Sequence, residues 1–347
     1  MTPFRVIQPL GPSHRDDGPP YYIKGQLNAI PGVTCERKTM LEPEPTWGEY
    51  DAVIEVDWGQ DCDIFAHLPK FSPNPHKPSV CWQSDTHYNS IGWEYRMQEA
   101  KRYRASAWAQ KDAADAFPPT WRATCTGPVC AKCDANMTER MVSPVPNACP
   151  KCGQRTHTPI WMTHAADHTI YTPPLRNYGV DLSTIPPDPK EYDAHCCDII
   201  PIYDICFVGH PSNEERNPIL DKLFKAIPSF AWRSGVFFRH AARVFHQSRI
   251  VFNAAIKHEI NMRTFESLAT RSFLLTDRQH GMDLLGLKSG VHCEIYDTLD
   301  EAIDKARWYL DPRRDALRRH IADQGWRWFL NGQTYWHRAR TLLSMVR

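Results

Sequence analysis

Short apolar runs, each closed by a polar or glycine-bearing stretch, recur along the chain and set its expected elements. Residues 4–10 (FRVIQPL), 33–36, 51–56 (DAVIEV) and 79–83 (SVCWQ) have strand length and the near-continuous apolarity of parallel strands. Residues 21–29 are expected as the first helix. Across 95–117, Tyr95, Met97, Ala100, Tyr103 and Trp108 suggest one helical face, which predicts a long helix. A strand over 159–164 (PIWMTH) then leads into the proline-rich stretch 172–189. Beyond it, 203–208 (YDICFV) reads as a strand turning at Gly209-His210-Pro211, 220–227 and 238–247 as helices, and 249–253 as a strand. Strands alternating with helices give an α/β chain with doubly wound sheets.

The densest stretch is 253–283, NAAIKHEINMRTFESLATRSFLLTDRQHGMD. It reads as loop, helix, strand, loop. Asn261 supplies a helix-start signal, Phe265, Leu268 and Ala269 repeat at helical spacing, and 272–276 (SFLLT) is a short apolar strand. Ligands of open α/β sheets sit beyond the carboxyl ends of the strands, beside helix N-termini. Arg263 and Glu266, one turn apart, are expected to face such a crevice: a guanidinium suits phosphate, and a carboxylate suits paired sugar hydroxyls. The plain alternative is an ion pair on a helix surface. No G-x-G-x-x-G follows any expected strand, so a dinucleotide fingerprint is absent.

Composition adds a second expectation. Residues 124–153 contain Cys130-x2-Cys133 and, after fifteen residues, Cys149-x2-Cys152, each pair close to Gly or Pro. That spacing suits four thiolates around one tetrahedral, structural zinc, with Cys125 as a spare; a redox pair or ordinary buried thiols are the alternatives. A stretch so poor in large apolar residues needs the metal to fold. Net charge is +1, so a nucleic-acid surface would have to be a local patch. Lys132, Arg140, Lys151 and Arg155 lie near the cysteine turns, with Trp82, Trp93 and Trp121 as aromatic neighbours. No apolar run reaches membrane-span length and the first residues carry no secretory pattern, so a reducing, cytoplasmic setting is expected. With 347 residues, the chain is comfortable for two domains.

The order R-x-F-E-S-L-A, F-L-L-T-D and a glycine loop resembles the donor-binding half of GT-B glycosyltransferases, closest to the CgeB-like, group 1-like members. Residues 290–296 (GVHCEIY), 298–310 and 325–340, with Tyr335 and Arg338, continue the likeness, which covers roughly 160–345. It implies two Rossmann-like domains facing a cleft, with a zinc ribbon inserted in the first. The implied boundaries are 1–123 for the acceptor-side domain, 124–157 for the ribbon, 158–197 for the domain end and linker, 198–331 for the nucleotide-sugar domain, and 332–347 for a helix packing back across the domains. A ribbon in that position departs from the family pattern.

The resemblance also implies transfer of a sugar from a nucleotide sugar, UDP-linked, to a hydroxyl acceptor. Gly209, Arg216, Lys257, Arg263, Glu266, His280 and Gly281 are the implied donor-binding residues. Glu266 would hold the ribose. Well-known retaining relatives separate two glutamates by seven residues, and Glu259 and Glu266 here have six between them. Should the enzyme invert, a base must take the acceptor proton; Asp85 is the first candidate, with His14, His164 and His87 behind it. The ribbon points to hydroxymethylated DNA as acceptor; a protein or polysaccharide acceptor, a binding protein on an inactive scaffold, and a sugar-nucleotide epimerase are the other readings. The segment 313–347, with eight Arg against two Asp, is expected to be largely solvated.

Overall fold

The computed structural model of the chain describes residues 2–10, 18–39, 47–57, 73–74, 76–84, 100, 103, 105–109, 121–124, 127–130, 158–174, 197, 199–210, 216–256 and 259–347. The chain divides into two compact units, Met1–Thr163 with Arg338–Arg347, and His164–His337.

In the first unit, β1 (Phe4–Leu10), β2 (Val33–Thr39), β3 (Ala52–Asp57), β4 (Ser79–Gln83), β5 (Ala105–Trp108) and β8 (Thr158–Trp161) form one sheet in the order β2-β1-β3-β4-β5-β8. Every neighbouring pair is parallel. Helix α1 (Pro19–Asn28) starts with prolines in its first turn, where the missing N–H costs nothing, and buries Tyr22, Ile23 and Leu27. Ile7, Val53 and Cys81 pack with Trp47, Tyr50 and Tyr103 into one core. Separately, β6 (Trp121–Thr124) and β7 (Gly127–Cys130) form an antiparallel hairpin.

The second unit carries β9 (Tyr203–Val208), α2 (Arg216–Ala226), β10 (Phe230–Arg233), α3 (Phe238–His246), β11 (Ser248–Asn253), α4 (Met262–Ala269), β12 (Leu274–Asp277), the one-turn α5 (Met282–Leu285), β13 (Glu294–Tyr296), α6 (Leu299–Leu310), α7 (Asp315–Leu330) and α8 (Tyr335–Val346), the last divided between the units. Its sheet runs β10-β9-β11-β12-β13, again parallel throughout. Ile205, Phe207, Ile250, Phe252 and Leu275 of the strands pack with Leu220, Leu223, Ala302, Tyr309 and Ile321 of the helices. Among the described residues, no helix is long and apolar enough to cross a membrane.

One expectation is corrected here, and two stretches take elements that the sequence reading did not name. Residues 105–108, placed inside a long helix by periodicity, are a strand: all four are buried, and they are paired on both sides by β4 and β8. The Ala-Ser-Ala-Trp sequence has little strand preference of its own, so tertiary pairing overrides it. The edge strand β10 has no counterpart in the sequence reading, because Phe230–Arg233 alternates too briefly to register. The stretch 325–340, given only as part of the family likeness, spans the end of α7 and the start of α8, with Asn331 closing α7 and a turn before Tyr335.

Trp82 is also corrected as a nucleic-acid contact. It is fully buried and donates its indole N–H to the Met162 carbonyl at 3.0 Å. The arginines of 313–347 are not uniformly solvated either. Arg318 and Arg338 are buried, the latter donating to the Thr163 carbonyl and hydroxyl at 2.9 Å each.

Candidate functional site

At the carboxyl edge of the second sheet, the ends of β11, β12 and β13 and the start of α4 gather a set of polar side chains that no hydrophobic pattern announces. Asn253, the last residue of β11, is buried; its amide donates toward Asn261 Oδ1 (3.2 Å), Thr264 Oγ1 (3.3 Å) and Thr276 Oγ1 (3.2 Å). Asn261 caps α4 by accepting from the Thr264 N–H at 3.2 Å, so the helix start is anchored to the strand end it faces. Gln279, buried in the loop after β12, donates to Thr276 Oγ1 (2.8 Å) and Asp277 Oδ1 (3.1 Å) and accepts from Thr264 Oγ1 (3.1 Å). Asp277 also accepts from the Ala255 N–H at 3.0 Å. Tyr296, at the end of β13, donates its hydroxyl to the Asn253 carbonyl at 2.9 Å. Burial first, and the Asp277 carboxylate second, push that phenol well above its ordinary range, so it remains a donor. A satisfied network of this kind holds three loops in fixed register.

Around it stand several of the expected residues. Gly209 follows β9, and its N–H donates to the Arg233 carbonyl at 3.0 Å. A side chain there would meet the Phe207 ring at 2.8 Å, so glycine is required by that ring. Arg216, the first residue of α2, lies 5.7 Å from the centroid of the same ring and donates from Nε to the Ala254 carbonyl at 2.9 Å. Gly281 takes φ = 87° ahead of α5, in the left-handed region that favours glycine, and His280 beside it is exposed.

Arg263 and Glu266 are neither a solvated pair nor two open groups. Their side chains meet at 2.9 Å, Glu266 is 5 % exposed, and the guanidinium lies 5.4 Å from the Phe245 ring of α3. The pair is packed against a neighbouring helix, which fixes the carboxylate in place.

Lys257, His14, Asp85 and His87 lie outside the described residues, as do Cys133, Cys149, Cys152 and Cys125. Cys130 closes β7 and pairs across the hairpin with Trp121. His164 follows β8 and is 4 % exposed. Among the described residues no His, Cys, Asp and Glu cluster could hold a metal ion. The sequence reading missed Asn253, Thr264, Thr276 and Gln279 as a group. The available signal was a polar residue terminating each apolar strand run.

Residues 219–344 match the family described as "Glycosyl transferase-like". None of the curated proteins matches the chain. Solved structures share the fold across nearly the whole length. One is Anabaena Alr3699/HepE in complex with UDP and glucose, at 10 % identity, covering 98 % of this chain and 100 % of that one with a TM-score of 0.58. Another is a glycosyltransferase from Rickettsia africae ESF-5, at 8 % identity, 100 % and 98 % coverage and a TM-score of 0.55. A third is a UDP-forming α,α-trehalose-phosphate synthase from Burkholderia xenovorans, at 8 % identity, 86 % and 73 % coverage and a TM-score of 0.52. Two parallel α/β sheets in one chain are consistent with the GT-B fold.

Proposed function

We propose that this glycosyltransferase moves a sugar from a UDP-sugar to a hydroxyl acceptor, with the donor held at the carboxyl edge of the second sheet. The observation that carries the reading is coincidence: the family match over 219–344 contains the β11 end at Asn253, helix α4 with Glu266, and the loop with Gly281 ahead of α5. The UDP choice is supported by the complex of Anabaena Alr3699/HepE, which holds UDP and glucose. The sequence motifs favour the CgeB-like branch.

In this reading Glu266 accepts from the ribose hydroxyls, and Arg263 orients it through the 2.9 Å pair. Gly209, Arg216, Lys257, His280 and Gly281 surround the diphosphate, where fixed donors stabilise charge as UDP departs. Asp85, His14 and His164 are the candidates for taking the acceptor proton in an inverting reaction. Cys130, Cys133, Cys149 and Cys152 would hold a structural zinc. The hairpin suits it, because β7 ends on Cys130, where a metal knuckle would begin. The acceptor reading, a hydroxymethylated pyrimidine in DNA, rests on the sequence of the insert; a protein or polysaccharide is the alternative.

The test is UDP release from a panel of UDP-sugars, with and without hydroxymethylated DNA. Release only with the modified DNA supports transferase and acceptor together. Release that ignores DNA keeps the transferase and discards that acceptor. No release and no UDP binding across the panel overturns the donor reading.

A further inference from the structure

Between Asp221 and Glu259 the chain contains no Asp or Glu, while Lys and Arg occur seven times. This stretch supplies the end of α2, then β10, α3 and β11, with β10 at the edge of the second sheet. Carboxylates one turn away, the usual partners of helix arginines, are therefore missing from α3.

Arg239 and Arg243 stand one turn apart on that helix, about 6 Å along its axis. Both are exposed, as is His240 between them, whereas Ala241, Ala242 and Phe245 are buried on the side that packs on the sheet. Among the described residues neither guanidinium has an ion-pair or hydrogen-bond partner. Arg233, at the end of β10, is exposed as well. It donates to the Trp232 carbonyl at 2.8 Å and the Tyr203 hydroxyl at 3.3 Å, neutral groups that hold it without cancelling its charge.

Two exposed aromatic side chains adjoin these charges. Trp232 precedes Arg233 and is 38 % exposed; Phe237 precedes α3 and is 46 % exposed. The Trp232 indole N–H donates to the Gly209 carbonyl at 3.4 Å, which ties this face to the edge where the donor is placed. Phe238, the first residue of α3, takes φ = 54°, a left-handed position that bulky side chains adopt only under strain, and such strain concentrates at binding corners. Half-exposed rings among arginines suit stacking, whereas a lipid surface calls for a broad apolar face to insert.

We propose that the exposed face of α3 and the end of β10 bind a single strand of nucleic acid, with phosphates at Arg239 and Arg243 and an unpaired base on Phe237. Guanidiniums without counter-ions suit a repeating phosphate backbone, and an aromatic face accepts any base. With a net charge of only +1 on the whole chain, such binding needs a local patch, and this is one. The face leads toward Gly209 and rests on the DNA-acceptor reading for its role; its binding is measured without donor, so either reading can fail alone.

Fluorescence anisotropy of a labelled oligothymidine of about twenty nucleotides, titrated with the full chain at several salt concentrations, tests it. Saturable binding is expected. Arg239→Gln/Arg243→Gln should weaken it by about tenfold or more and reduce the slope of log affinity against log salt by about 1.4, the share of two phosphate contacts. Both side chains are exposed, so the unfolding midpoint and UDP binding should match those of the unsubstituted chain. Phe237→Ala should cost the single strand about fivefold or more and a duplex of equal length much less. Arg313→Gln, on a side chain 88 % exposed, controls for net charge and should leave binding unchanged. A chain that binds the strand but not UDP keeps this face and overturns the donor reading alone. No saturable binding up to about 100 μM chain, indifference to the arginine pair or to Phe237→Ala, an equal loss in Arg313→Gln, or binding to phosphatidylserine vesicles that the oligonucleotide cannot displace would each overturn the proposal.

Discussion

Asn253 illustrates how one side chain can carry a site without belonging to its chemistry. It ends β11, yet its amide reaches the α4 cap, the α4 hydroxyl of Thr264 and the β12 hydroxyl of Thr276. Asn253→Ala leaves those groups short of a buried partner and is expected to destabilise the protein by about 2 kcal/mol in urea unfolding. Tyr296→Phe removes one bond to the Asn253 carbonyl and should cost about 1 kcal/mol. His246 gives a pH signature. Burial holds its pKa down at about 4, against 6.5 for an unburied histidine, with Nε2 2.7 Å from the Thr172 carbonyl. The unfolded chain therefore binds the extra proton first on acidification. Stability attributable to this group is complete above pH 6.5 and is lost as pH falls toward 4, by about 1–3 kcal/mol. Unfolding free energies measured across that window should slope upward with pH, and His246→Gln should flatten the slope.

At the scale of elements, the second unit depends on one close approach. Gly325, mid-way along α7, lets that helix press on α4 and on the turn before β13. A methyl group there would run into the His292 carbonyl oxygen and meet Leu268 at 2.7 Å. In an open helix, Gly→Ala stabilises by roughly 0.5–1 kcal/mol; here the overlap reverses the sign. Gly325→Ala is expected to lower the thermal midpoint by several degrees, corresponding to about 2–3 kcal/mol. An unchanged or raised midpoint would mean that α7 does not pack this way. The edge strand β10 shows the complementary lesson. Its four residues gain strand geometry only by pairing with β9, so nothing local distinguishes them from a loop.

For the whole molecule the metal expectation is the most direct to check. Purified protein is expected to contain one zinc ion per chain by elemental analysis, and Cys149→Ser/Cys152→Ser should abolish it. A zinc-free protein with unchanged stability would remove the ribbon from the account. The two parallel sheets were legible early, because buried parallel strands are continuous apolar runs that can be read one at a time. Strands over 4–10, 79–83 and 203–208 coincide with β1, β4 and β9. At the proposed donor edge, Gly209, Arg216 and Gly281 stand at strand and helix ends, positions that glycines and turn residues mark in the sequence.

What the sequence determined by itself was therefore local. It determined the alternation of strands and helices, the glycines at the turns, and the Asn261 cap, each of which depends on neighbours a few residues away. What only the tertiary structure decided was which polar groups meet. Asn253, Thr264, Thr276 and Gln279 belong to one stretch of sequence but become one network only because the neighbouring parallel strands β11 and β12 end together beside the start of α4. The same holds for Arg249, Arg271, Arg318 and Arg319, contributed by three elements and gathered at the other end of that sheet. Ser106 and Trp108 are strand residues because β4 and β8 supply hydrogen bonds on both sides, a partnership that no local pattern can express.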